Sequence, residues 1–131
     1  GLGDVYKRQV TIVACGVEVS RALEAAESLE VSGISARVVN MSTIKPIDSE
    51  LLEKCAIETG AFVTAEDHNI IGGLGGAVAE SLAKNTPCPI EFIGSQDVFG
   101  ESGEPGELAE KYQQTAEFIA IAAKKAINRK K

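Results

Sequence analysis

Four short runs of mostly apolar, often β-branched residues punctuate this chain, at residues 10–15 (VTIVAC), 36–40 (ARVVN), 61–65 (AFVTA) and 90–94 (IEFIG). Nearly continuous apolar runs of this length suit strands covered on both faces, because a strand with one wet face alternates apolar and polar side chains. Between and after these runs lie segments of helical periodicity. Strands alternating with helices read as βαβ units, in which each crossover packs its helix on a parallel sheet. The pattern therefore predicts an α/β fold with helices on both faces of the sheet. It contains no internal repeat and no low-complexity segment.

The first helix is predicted over 17–31. Val19, Ala22, Leu23, Ala26 and Leu29 recur at helical spacing, and Glu18, Arg21, Glu24 and Glu27 take the other side. Ser32 and Gly33 stop it, glycine suiting the left-handed residue beyond a helix. Residues 42–47 form a loop, since Pro46 fits neither a helix interior nor a central strand. Asp48 is a good N-cap for a helix over 49–58 with Leu51, Leu52 and Cys55 on its inner face. A further helix spans about 73–84, and the proline-rich stretch 85–89 breaks it. Residues 95–106 read as a long glycine-rich surface loop, a type that is often functional when ordered. A short helix is predicted over 107–112. Thr115 then caps a last helix whose apolar face is Ala116, Ile119, Ala120, Ala123 and Ile127.

A length of 131 residues fits one domain. A domain of that size buries roughly two thirds of its unfolded surface and folds without metal or disulfide. The net charge of −6 argues against nucleic acid or an anionic membrane as partner. The basic residues Lys124, Lys125, Arg129, Lys130 and Lys131 fit the end of a helix, where its dipole favours cations. No apolar run reaches the ~20 residues of a membrane span, and no signal-peptide pattern opens the chain. Cys15, Cys55 and Cys88 are widely spaced and odd in number, which suits core thiols in a reducing cytoplasm. Met41 is the only methionine. The first nine residues match neither the periodicity nor the style of the remaining chain. Residues 1–9 are therefore set aside as a non-native or linker lead-in, with a native lead-in strand as the alternative, and the folded unit is expected to run over 10–131.

The stretch 64–82 (TAEDHNIIGGLGGAVAESL) carries the candidate site. It leaves the third strand, passes an acidic corner with the only histidine, His68, crosses a glycine-rich turn and enters a helix. Such a turn lies at the carboxyl ends of the strands, where ligands bind in open α/β sheets. It is not a dinucleotide fingerprint, because Val78 stands where the third glycine is needed. Glu66 and Asp67 would repel a phosphate at the helix N-terminus. The glycines are explained by close packing of helix on strand and by positive φ angles. His68 is a candidate acid/base or contact residue. Zinc is not expected, since no second histidine exists. Asp97, Glu101, Ser102 and Glu104 decorate the long loop, where Phe99 is a candidate partner contact. No Gly-x-Ser-x-Gly elbow occurs. The residues alone assemble no self-contained active site.

Several of these motifs, in this order, resemble the C-terminal domain of transketolases. They are residues 10–26 (VTIVACGVEVSRALEAA), 36–48 (ARVVNMSTIKPID), 64–75 (TAEDHNIIGGLG) and 99–103 (FGESG). The Glu66-Asp67-His68 corner with its Gly-Gly-Leu-Gly turn is most similar to the C-terminal half of split, two-subunit transketolases. The resemblance implies a three-layer α/β/α domain with a mostly parallel sheet of about five strands, the fifth near residues 96–99. It implies part of an enzyme that moves a two-carbon ketol unit between sugar phosphates with thiamine diphosphate and Mg2+. Those cofactors would be bound by other domains, and this chain would serve assembly and be inactive alone. Its partners would be the thiamine-binding domains or subunit of the same enzyme, with a homodimer contact. No family catalytic residue carries over. Glu66, Asp67, His68, Gly72, Gly73, Gly75 and Phe99 are the candidates for subunit contact or for supporting the site from behind. The β subunit of 2-oxoacid dehydrogenases and deoxyxylulose-phosphate synthase share the domain and are the alternatives, beside a free-standing docking or ligand-binding module.

Overall fold

β1 (Gln9–Ala14) is the strand that the rest of the sheet flanks, and five of its six residues are buried. Its side chains alternate between two cores, as the strand period of two requires. Val10, Ile12 and Ala14 point to one face, and Val13 to the other. The computed structural model describes residues 2–41, 47–66, 73–94 and 115–130. Within them β1 is preceded by α1 (Leu2–Lys7) and followed by α2 (Glu18–Val31), β2 (Ser35–Asn40), α3 (Ser49–Thr59), β3 (Phe62–Ala65), α4 (Leu74–Lys84), β4 (Ile90–Ile93) and α5 (Ala116–Asn128). The sheet order is β2-β1-β3-β4, and every pairing is parallel.

Helices cover both faces. α2 and α5 pack on one, where Ala22, Ala25, Leu29, Ile119, Ala123 and Ala126 meet the strands. α3 and α4 pack on the other through Leu52, Cys55, Leu74, Val78 and Leu82, around Phe62. This is the three-layer α/β/α architecture, with four parallel strands among the described residues. The strand expected near 96–99, the loop 95–106 and the helix over 107–112 lie outside them.

The punctuation obeys the chemistry of the turns. Asp48 caps α3, its carboxylate accepting from the Leu51 N–H at 3.0 Å. Gly33 and Gly60 end α2 and α3 with φ of 81° and 70°, where a β-carbon would be strained. Thr115 precedes α5 in extended conformation, but its side chain makes no capping bond, contrary to expectation.

The buried face of α2 also differs from the expected one. Glu18, Ala22, Ala25 and Leu29 face inward, while Leu23 is 53% exposed. Alanines at the contact let the helix approach the sheet and α5 closely. Glu18, expected on the polar side, lies one turn before Ala22 and is carried inside with it.

Ahead of β1, Leu2–Lys7 is helical rather than a strand, and β1 begins at Gln9. This segment touches the far end of the chain. The Lys130 ammonium donates to the carbonyls of Gln9, at 2.7 Å, and of Tyr6. It also stands over the Tyr6 ring, 4.4 Å from its centre. Burial pulls the Lys130 ammonium down to a pKa of about 8. Cys15 and Cys55 are buried thiols outside any disulfide and Cys88 is half-buried, its pKa raised by that burial and by nearby Glu53.

Candidate functional site

The chain leaves β1 toward β2 on one side, and β3 lies on the other. Crossovers that depart in opposite directions open a crevice at the carboxyl ends of β1 and β3, the place where open α/β sheets bind ligands. Cys15, Gly16 and Glu18 stand on the β1 side of it. The Cys15 N–H donates to the Ala65 carbonyl at 3.2 Å, tying the two strand ends together. Gly16 turns the chain with φ of 62°. Glu18 is fully buried and accepts from Arg21 Nη1 at 2.6 Å. A buried carboxylate requires such a partner, and the first turn of a helix favours its negative charge further.

Glu66 organises the β3 side. Its N–H donates to the Ile93 carbonyl at 3.1 Å, continuing the ladder to β4. Its side chain turns back to α4, where Oε2 accepts from the Gly75 N–H at 2.7 Å. The carboxylate thus satisfies one of the free donors in the first turn of α4. Two glycines make room for this. A β-carbon on Gly75 would stand 2.9 Å from Phe92 Cδ1 and 3.3 Å from Glu66 Oε2. One on Gly94, at φ of 144°, would stand 3.0 Å from the Glu66 carbonyl oxygen. Gly73 accepts from the Ala77 N–H at 3.2 Å with φ of −79°. Positive φ angles, expected in this turn, are found at neither Gly73 nor Gly75. Space beside Phe92 and Glu66 is what Gly75 supplies.

Of the candidate residues, Glu66, Gly73 and Gly75 converge on the start of α4. Asp67, His68, Gly72 and Phe99 lie outside the described residues. Sequence reasoning passed over Glu18 and Phe92. The signal for Glu18 was its place in the first helical turn after the first strand. Phe92, 59% exposed on β4, lies against Gly75 and offers an aromatic surface beside the turn.

The chemistry of this arrangement is that of a fixed scaffold. The α4 N-terminus is engaged by an internal carboxylate, which leaves it a poor seat for a phosphate. Among the described residues no group of three His, Cys, Asp or Glu side chains could hold a metal ion. No helix among them is long and apolar enough to cross a membrane.

Comparison with known proteins bears on what such a scaffold is part of. A family model described as "Transketolase, C-terminal domain" matches residues 3–119. The chain is 48% identical over 121 residues to the 6-deoxy-6-sulfo-D-fructose transketolase subunit SqwH of Clostridium sp. (strain MSTE9), covering 92% of this chain and 38% of that one. It is 42% identical over 127 residues to a 1-deoxy-D-xylulose-5-phosphate synthase of Heliobacterium modesticaldum, covering 95% of this chain and 20% of that one. Among solved structures, a chain described as "Split gene transketolase, inactive beta4 tetramer" superimposes with a TM-score of 0.88 at 53% identity, over 95% of this chain and 41% of that chain. The chain therefore spans between a fifth and about two fifths of the length of these relatives.

Proposed function

This chain belongs to the transketolase C-terminal domain family, and on that premise we propose that it is the assembly domain of a thiamine-diphosphate-dependent transketolase of the split, two-subunit kind. The whole enzyme would transfer a two-carbon ketol unit between sugar phosphates in the cytoplasm. The observation that carries this reading is the superposition of 95% of the chain on a split-gene transketolase at 53% identity. That relative is described as an inactive beta4 tetramer, which supports a subunit without activity of its own and one that pairs with further copies.

In this reading thiamine diphosphate and its divalent cation are bound elsewhere in the enzyme, and the engagement of the α4 N-terminus by the Glu66 carboxylate supports it. We assign both to the thiamine-binding domains or subunit that would partner this chain. The role of Glu18, Glu66 and Gly75 is then to hold the carboxyl edge of the sheet in one shape for that partner.

The test is a ketol-transfer assay with thiamine diphosphate and Mg2+, run on the chain alone and mixed with a protein supplying the thiamine-binding regions. Product is expected only from the mixture. Activity of the chain alone, or a mixture that neither reacts nor co-elutes, overturns the assignment. A second reading, part of a deoxyxylulose-phosphate synthase, is favoured by the 42% identity to such an enzyme. It is separated by supplying pyruvate as donor: release of carbon dioxide selects the synthase.

A further inference from the structure

β2 is an edge strand. β1 lies on one side of it, and among the described residues no strand lies on the other. The Ser35 and Met41 N–H groups donate inward, each at 2.8 Å, to the carbonyls of Arg8 and Ala14. The backbone of a strand alternates direction residue by residue, so Ser35, Arg37 and Val39 turn their bonds toward β1. Ala36 and Val38 turn their N–H and C=O groups outward. Folded chains ordinarily guard such an edge with a proline, a protruding charge or a bulge. β2 has no proline, and its register with β1 is unbroken. Its one charged side chain is drawn away to α3, where Arg37 donates to Glu58 at 2.5 Å and to Cys55 at 3.5 Å.

A groove of about 620 Å³ runs along the same edge, between α2 and the first half of β2. No residue of β1 or α5 lines it, so it opens on the free side of β2. Leu23 and Ala26 of α2, with Ile34 and Ala36, make it apolar. Glu27 and Glu30 line it as exposed carboxylates, and none of the salt bridges among the described residues engages either. α2 runs back over β2, so Glu30 stands level with the start of the strand and Leu23 further along it. The one cation of α2, Arg21, is held by Glu18 at 2.6 Å. α5 lies on the far side of α2, over β1, β3 and β4, so its Glu117 and Lys124 do not face the groove. The charge at this edge is therefore negative.

We propose that an extended basic segment of another protein adds to this edge as a further strand, antiparallel to β2, exchanging backbone hydrogen bonds with Ala36 and Val38. Antiparallel pairing is the more stable kind. Ala36 and Val38 pack their side chains toward α2. Directly opposed residues of a ladder share a face, so the two incoming residues opposite them also face α2. The one opposite Val38 comes first and lies beside Leu23, where an apolar side chain covers apolar surface. The one opposite Ala36 comes two residues later, where a lysine or arginine reaches Glu27 and Glu30. The residue between them faces α3 beside the Arg37–Glu58 pair, which suits a polar side chain. The edge thus selects the order apolar, polar, basic: main-chain bonds hold the segment, and the groove and its carboxylates choose it.

The probe is the blocked peptide TLTKT, titrated into the full chain and followed in the amide NMR spectrum. Saturable shifts are expected at Leu23, Ala26, Ala36 and Val38, with slowed hydrogen exchange at Ala36 and Val38, whose N–H groups gain acceptors. Glu27→Gln with Glu30→Gln should weaken binding about 10-fold at low salt, and a glutamate in place of the probe's lysine should abolish it. Methylating the probe's backbone nitrogens at leucine and lysine should also abolish it, since the donors are then gone. Ala36→Pro should do the same from the protein's side, because proline is accepted where an edge N–H faces solvent. If that variant does not fold, the methylated probe still decides. No saturable shift at millimolar probe overturns the site. Binding that survives methylation overturns strand addition, and binding indifferent to the two glutamines overturns recognition by charge. Slowed exchange at Ala36 and Val38 without probe, rising with chain concentration, would seat a second copy on the edge and overturn the choice of occupant.

Discussion

Thr11 and Thr59 are both buried, and their hydroxyl oxygens stand 2.7 Å apart between β1 and the end of α3. The two are not equivalent. Thr59 Oγ1 also donates to the Cys55 carbonyl at 2.9 Å, so it keeps a partner when Thr11 is removed. The Thr11 hydroxyl has Thr59 as its only side-chain hydrogen-bond partner among the described residues. Thr11→Val is expected to cost less than about 1 kcal/mol, and Thr59→Val ~1–3 kcal/mol, because the second leaves a buried hydroxyl unpaired. Urea unfolding of the two variants checks this, and equal losses would refute the asymmetry. Residues of this kind are where sequence reading ends. Glu18 with Arg21 reads as a solvated pair one turn apart on any helix. Only the position of α2 over the sheet decides that Glu18 is inside.

At the scale of elements, the strands and helices were legible because each carries its own period. β3 is buried on both sides and apolar but for Thr64, and α3 shows its apolar stripe between a capping aspartate and a left-handed glycine. The caps are not of equal worth. Asp48→Ala should cost ~1 kcal/mol, since a real bond to the Leu51 N–H is lost, whereas Thr115→Ala should cost only a few tenths. Thermal unfolding of the two single variants distinguishes them, and a larger loss at Thr115 would show that side chain to be engaged. What stayed illegible at this scale depends on neighbours far along the chain. The Gly75 requirement comes from Phe92 on β4, and local sequence around the turn carries no trace of it. The six-residue α1 is too short to show a period, and its Tyr6 carbonyl, with that of Gln9 at the start of β1, accepts from Lys130 far along the chain. The candidate turn was found because glycines and acids mark the end of a strand. The bond between Glu66 and Gly75 was not, because proximity across nine residues of turn is a product of the fold.

Across the whole molecule, Lys130 joins the last turn of the chain to its first strand. In the folded state its ammonium titrates at about 8, against an ordinary value of 10.5. Between those values the unfolded chain holds the proton and the folded chain has released it. Stability owed to this residue therefore rises with pH across that window, and below it the cost of keeping the charge half-buried is present in full. Lys130→Met should remove that rise. The difference in unfolding temperature between parent and variant, measured from about pH 7.5 to about pH 10, should move in the parent's favour, and a difference that stays flat would refute the depressed value. The same joining of early and late chain governs how the protein comes into being. Val10, Ile12 and Ala14 leave the ribosome well before Ile119, Ala123 and Ala126, which cover them and are made only after a further hundred or so residues have been threaded out. Until then a sheet of parallel strands presents an open greasy flank, so nascent chains that stall before α5 are the natural clients of a holding chaperone.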